Sequence, residues 1–277
     1  MEYHQDRFED YSLMIYKENK LIAILPANIR ENTLYSHEGL TFGGFLFTNK
    51  MTSLLMLDVV EKLFEYLRKN NIKRFIYKSI PYIFHQNPSQ EDLFALTKSR
   101  AKLYKRELST AIDLENYKLQ KRRKKYLKKI KNEDFSTKIS ESYSAFWNIL
   151  NEQLPKRHNT KPVHSLSEIE YLANLFPENI LHIICTKSLA IQAGAVIYLT
   201  PTVAHLQYMV ANEEGLKNRA LNFLMDTILQ KFKDKRFLSF GISTENNGQI
   251  LNEGLVTFKE SFGGRTIVHD VYEYKID

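Results

Sequence analysis

The feature that most constrains this 277-residue chain is that one series of elements is read through twice. In the first series Tyr11–Tyr16 and Leu21–Ile29 are short apolar runs. Glu18-Asn19-Lys20 separates them, which predicts a hairpin. After the loop Ser36–Gly44, the residues Met56, Val60, Leu63, Phe64 and Leu67 recur at helical spacing and predict a helix over Thr52–Lys69. A strand over Lys73–Ser79, a short helix near Gln90–Thr97 and a strand region reaching Leu114 follow. The second series has strands at Asn179–Thr186, Leu189–Leu199 and Thr202–Val210. A long helix over Leu216–Phe232 comes next, with Leu216, Ala220, Leu224, Ile228 and Phe232 along one stripe. Phe237–Ile242 reads as a strand, Asn252–Phe262 as a helix and Arg265–Tyr274 as a closing strand. The shared order is β-β-(β)-α-β-α-β, and two such orders rarely coincide by chance.

Two helices, Tyr143–Leu154 and Leu166–Leu175, precede the second series, and Pro155 and Pro162 bracket a polar loop, Lys156–Lys161. The reading divides the chain into a first domain, 1–115, a basic linker helix, 116–132, and a second domain, 133–277. The composition, 43% hydrophobic and 26% charged, supplies two folded cores and excludes disorder. The net charge of +7 is concentrated: nine basic residues and no acid lie between Lys118 and Lys131, and without them the rest is about two charges negative. A nucleic-acid binder more often spreads its charge over a face. The one cysteine, Cys185, sits in an apolar run and reads as a buried strand residue. Leu181–Leu199 is interrupted by His182, Lys187 and Gln192, so it reads as two strands and not as a membrane helix. With no signal-peptide pattern at the start, the expected compartment is the cytoplasm.

The ending Asn252-Glu253-Gly254-Leu255-Val256-Thr257-Phe258-Lys259-Glu260-Ser261-Phe262-Gly263-Gly264-Arg265 carries a family resemblance. So do Phe240–Glu245, His205-Leu206-Gln207-Tyr208, Pro162–Leu166 and Arg122–Lys129. Together they resemble the double-GNAT acyltransferases related to the Fem-type peptidoglycan aminoacyltransferases, and polysaccharide-associated N-acyltransferases nearer still. The resemblance implies an α/β (α+β) chain of tandem GNAT-like domains, with mixed sheets flanked by helices. It implies acetyl-CoA or another acyl-CoA as co-substrate. No close His/Cys/Asp/Glu spacing recurs, so no metal is expected, and no Ser/His/Asp or Cys/His elbow is visible, so direct attack by an amine is expected. The long helical arm of the aminoacyl-tRNA-using enzymes is absent. The first copy lacks the helical pair that should open it.

Acyl transfer from a thioester needs a held pyrophosphate, a polarised carbonyl, a base for the amine and an acid for the thiolate. The turn Asn212–Ala220 stands before the long helix, where free amides face an anion. Gly215 there lets backbone approach closely, and Lys217 and Arg219 add charge. The donor-binding set is Val210, Gly215, Leu216, Lys217, Asn218, Arg219 and Ala220, with Asn246. His205 and Gln207 are two apart on a strand and share a face. His205 is a base candidate, Glu245 in the polar run after Ile242 a second, and Tyr208 or Tyr198 an acid for the thiolate. His158, His164, Gln207, Ser243, Asn252 and Lys259 are assigned to the acceptor, with Arg157 and Lys161 beside the two histidines.

In the first copy Ser36–Gly44 replaces a phosphate-binding turn, so that copy reads as degenerate and as one wall of a cleft. The expected activity is transfer of an acyl group, acetyl first, from acyl-CoA to the amine of an amino-sugar or cell-surface polymer precursor. That acceptor is free, nucleotide-linked or lipid-linked. The Lys118–Lys131 helix offers contact with an anionic membrane. Two alternatives stand: a tRNA-dependent Fem-type aminoacyltransferase, the one reading with a nucleic-acid partner, and a non-catalytic ligand-binding double domain.

Overall fold

A computed structural model describes residues 2–130, 133–158 and 160–276. The chain runs β1 (Glu9–Asp10), β2 (Leu13–Lys17), β3 (Lys20–Leu25), β4 (Asn28–Arg30), β5 (Thr33–Tyr35), β6 (Leu46–Phe47), α1 (Ser53–Lys69), β7 (Arg74–Lys78), α2 (Glu91–Lys98) and β8 (Lys102–Asp113). Then come α3 (Lys121–Ile130), β9 (Phe135–Ile139), α4 (Ser144–His158), α5 (Leu166–Leu175), β10 (Ile180–Lys187), β11 (Ala190–Leu199) and β12 (Val203–Ala211). Last are α6 (Glu213–Lys217), α7 (Ala220–Lys231), β13 (Phe237–Ile242), the hairpin β14 (Thr244–Glu245) and β15 (Ile250–Leu251), α8 (Glu253–Glu260) and β16 (Arg265–Lys275). The contacts define two units: Met1–Leu108 with Thr244–Leu251 and Ile267–Asp277, and Ser109–Ser243 with Asn252–Thr266. A cut at residue 115 does not follow them, because the end of the chain belongs to the first unit and the end of β8 to the second.

In the first unit the sheet order is β1-β4-β5-β7-β16. β4 and β5 form a tight antiparallel hairpin whose turn places Glu31 at φ +55°, and β5 and β7 run parallel. The sequence reading folded β4 into Leu21–Ile29 and passed over β5, because three residues show no periodicity. α1 crosses from β5 to β7. Thr52 caps it through Leu55 N at 3.2 Å, and Met56, Val60, Leu63 and Leu67 are buried in a core with Leu34 and Phe75. The expected hairpin forms as β2 and β3, but with β6 it makes a separate three-stranded sheet. Past Tyr35 the loop Ser36–Gly44 fills the gap beside β7: Ser36 N donates to Ile76 O and Gly43 N to Lys78 O. Gly43 packs against the loop's own backbone, since a Cβ there would lie 1.9 Å from Ser36 O.

The second unit has the sheet order β8-β13-β12-β11-β10-β9. β10 and β11 are antiparallel, β11 and β12 antiparallel, and β12 and β13 parallel. Two cores form: Leu224, Met225 and Ile228 of α7 pack with Ala195, Leu206 and Leu238, while Phe146, Trp147 and Leu150 of α4 pack with Val196, Tyr208 and Val210. Cys185 is buried, and burial pushes its thiol up to about 12, as a structural residue requires.

Three expectations change here. The long helix is two, because Arg219 takes a left-handed φ of +64° between α6 and α7. α4 continues through Pro155 to His158, so the proline does not end it. The basic helix covers Lys121–Ile130 only. It packs on α7 with Leu127 and Ile130 buried, so it is part of the second unit and not a free linker; Lys131 and Asn132 lie outside the described residues. No helix among the described residues is long and apolar enough to cross a membrane.

Because β16 pairs with β7 through Val271 to Lys275, and Tyr274 stacks on Phe64 at 3.7 Å, residues 267–277 complete the first unit. Deleting them is expected to abolish amide-exchange protection at Arg74–Lys78 while β10 and β11 stay protected, as read by hydrogen exchange.

Candidate active site

β12 and β13 pair for three residues only, Val203 with Phe237, Ala204 with Leu238 and His205 with Ser239, although β12 runs on to Ala211. Both strands change course at this point. On β12 the register against β11 slips between Leu206 and Tyr208, so Gln207 is an extra, half-buried residue. On β13 the register against β8 slips between Ser239 and Ile242, and Gly241 sits at φ +73°, a backbone state that costs glycine little. Two parallel strands thereby separate beyond His205 and Ser239. His205 is 8% exposed, and its Nδ1 lies 3.1 Å from Ser239 Oγ, an acceptor or donor as the tautomer requires.

The end of β13 is held by Lys259 of α8, which is 4% exposed. Its Nζ donates to Gly241 O at 2.9 Å, Ile242 O at 2.8 Å and Ser243 Oγ at 2.7 Å. Three acceptors match three protons of an ammonium. Burial pushes its pKa down to about 7, so the fold holds the charged form only up to about neutral pH, against a desolvation cost. Ser243 and Lys259 are therefore partners of each other. Asn252 caps α8 by accepting from Leu255 N at 3.0 Å, so its side chain serves the helix.

The turn before α6 is not open to an anion in the expected way. Gly215 N donates to Asn212 Oδ1 at 2.7 Å, and a Cβ on Gly215 would lie 2.1 Å from Gln192 O. Its lack of a side chain admits β11 and not a ligand. Asn218 Nδ2 donates to Gln192 Oε1 at 3.1 Å, Leu216 and Ala220 join a core, and Val210 joins the other. Lys217 is exposed.

Cationic chemistry gathers instead at the start of α7. Arg123 of α3 donates from Nε to Ser261 Oγ at 2.7 Å and from its NH1 group to Asn222 Oδ1, and lies 4.3 Å over the Phe262 ring. Burial pushes its pKa down to about 10, and Arg122 and Arg219 push the same way. Arg219, which has no side-chain capping bond to α7, lies 4.0 Å over Tyr126, and Arg122 donates to the same tyrosine at 2.8 Å. Tyr126 acts against the shift of Arg123. From this cluster Lys124, Lys125, Lys128 and Lys129 continue as an exposed basic face. The sequence reading names Arg123 only as part of the basic segment Arg122–Lys129, yet it stands four residues before Leu127 and seven before Ile130, on the buried side of an otherwise solvated helix.

The other assigned residues fall elsewhere. Tyr208 is buried against Trp147, and its OH lies 2.7 Å from His164 Nδ1, so these two pair on the α4 side of the sheet. Glu245 is exposed, and Asn246, at φ +47°, belongs to the turn of the β14–β15 hairpin, which clusters with the first unit. His158 and Arg157 lie outside the residues whose side chains are described. No three His, Cys, Asp or Glu side chains among the described residues are grouped to hold a metal.

Two outcomes test this geometry. Gly215→Ala is expected to cost about 1–3 kcal/mol by overpacking against Gln192, measured by urea unfolding. Lys259 has a folded pKa of about 7 against 10.5 for the free side chain. Between those values the unfolded chain holds a proton the folded one has released. Stability relative to Lys259→Met is therefore expected to rise from pH 7 towards pH 10, by up to about 1.4 kcal/mol per unit, and to level off below pH 7.

No family model and no curated protein matches this sequence. Solved structures do match. FemX aligns with a TM-score of 0.71 at 8% identity, over 99% of this chain and 90% of that one. L-PGS from Bacillus licheniformis aligns at 0.65 with 10% identity, over 96% and 84%. A tandem GNAT protein from the clavulanic acid biosynthesis pathway aligns at 0.51 with 9% identity, over 96% and 82%. The mixed sheets and crossover helices of this chain are thus those of the tandem GNAT fold.

Proposed function

We propose that the chain is an acyltransferase that moves an acyl group to an amine at the parting of β12 and β13, and that the donor is an aminoacyl ester on an RNA 3′ end. The observation that carries transfer is the separation of the strands beyond His205 and Ser239. It leaves strand backbone groups beside a buried histidine, an arrangement that suits a polarised carbonyl. The incoming nitrogen forms a bond to that carbonyl carbon. His205, its ring oriented by Ser239, takes the proton the amine loses. The carbon–oxygen bond to the ribose breaks, and the leaving hydroxyl recovers a proton.

Charge is what supports that donor. A single diphosphate needs one anion site, and the amide of Gly215 is already occupied. The cluster of Arg122, Arg123 and Arg219 runs into the lysine face of α3, a track long enough for successive phosphates. This reading puts the RNA donor first although the helical arm of the aminoacyl-tRNA-using enzymes is absent, and acyl-CoA stands as the second donor; an amino-sugar or other surface-polymer amine remains the acceptor class.

Filter retention of labelled aminoacyl-tRNA and equilibrium dialysis of labelled acetyl-CoA decide between the donors. Tight, salt-sensitive retention of charged RNA is expected, weakened about 10-fold in Arg219→Ala. Retention of acetyl-CoA but not of RNA would return the donor to acyl-CoA. His205→Ala is expected to lower transfer to an amine acceptor by about 10²-fold or more with donor binding intact.

A further inference from the structure

We propose that the outer face of the small sheet β2-β3-β6 docks the protein on an anionic phospholipid surface. Register places Met14 beside Ile24 and Ile24 beside Leu46, so the three share one face. The opposite row, Ile15, Ala23 and Phe47, turns to the core of the first unit. A sheet with one solvated face normally alternates apolar and polar residues along each strand. Here both faces are apolar. Met14 is 64% exposed, Leu46 50% and, at the hairpin end, Tyr16 56% and Leu21 46%. No described residue of the unit covers them, and contiguous exposed apolar area of this kind marks an interaction surface.

Charge selects the occupant. Lys17 and Lys20 are register partners at the end of the hairpin, and both are exposed. Lys50 is exposed as well, and it lines one cavity of about 1040 Å³ together with Lys20, Leu21 and Leu46; of the acids in that lining, Asp92 is buried against Tyr77 and Glu91 is half-buried. Glu18 is the acid in the same turn. Apolar side chains ringed by lysines fit a bilayer interface, where the apolar groups enter between headgroups and each ammonium meets an anionic lipid. A second copy of the chain would set lysines against lysines across a two-fold contact.

Flotation of the purified full chain with vesicles tests this directly. Phosphatidylcholine vesicles containing a quarter phosphatidylglycerol are expected to carry the protein up, and pure phosphatidylcholine vesicles to carry at least 10-fold less. The double change Met14→Ser and Leu46→Ser is expected to lower binding at least 10-fold with an unchanged melting temperature. Lys17→Glu with Lys20→Glu is expected to do the same, whereas Lys124→Glu with Lys128→Glu on α3 leaves most binding in place. Failure of the wild-type chain to bind, or binding that depends on α3 and not on Met14 and Leu46, overturns the proposal. A dimer in light scattering that the Met14/Leu46 change dissociates would overturn it too, assigning the face to a second copy.

Discussion

The separation of two parallel strands after three paired residues is the constraint from which the rest of the second unit follows. Unpaired backbone inside a sheet is costly, so something must hold it. On β13 that is Lys259, whose three donors take up Gly241 O, Ile242 O and Ser243 Oγ. On β12 it is the bulge at Gln207, which shifts the ladder against β11 and rotates the strand away. A buried ammonium is an expensive way to satisfy carbonyls. Its presence makes sense where the strand end must stay apart from its neighbour and cannot simply zip closed.

The first unit shows the closed form of the same arrangement. β5 and β7 also run parallel for three residues with a helix crossing between them, but Ser36 and Gly43 then fill the gap. Lys78 there donates to His37 O, Glu38 O and Leu40 O, so a half-buried lysine again gathers carbonyls. In that unit it secures a plug; in the other it secures an opening. The two copies thus differ less in topology than in what occupies one gap, which is why the first carries no counterpart of the His205–Ser239 pair at that place.

Much of this was legible in the sequence, and the gaps have physical causes. Long periodic segments such as α1 and the β10–β12 strands were read within a residue or two, because burial imposes their spacing. The repeat was legible as an order of elements, but the destination of β16 was not, since nothing in Ile267–Lys275 tells which of two similar sheets it completes. His205 and Lys259 were named from the sequence, while their partners Ser239 and the Gly241 carbonyl depend on a bulge that sequence pattern does not encode. Gly215 misled for a clear reason: a glycine at a strand-to-helix turn signals close approach, and here the approaching group is Gln192 of β11. Asn212 supplied the missing clue, being a cap residue three positions before it.

The measurement that bears most directly on the transfer site is a crystal structure with a stable amide analogue of a 3′-aminoacyl-adenosine carrying its 5′ phosphate. The account expects the acyl carbonyl between β12 and β13 beside His205 and Ser239, with the phosphate on Arg123 and Arg219. An analogue bound away from that parting, or strands that stay sealed against it while turnover proceeds, would contradict it.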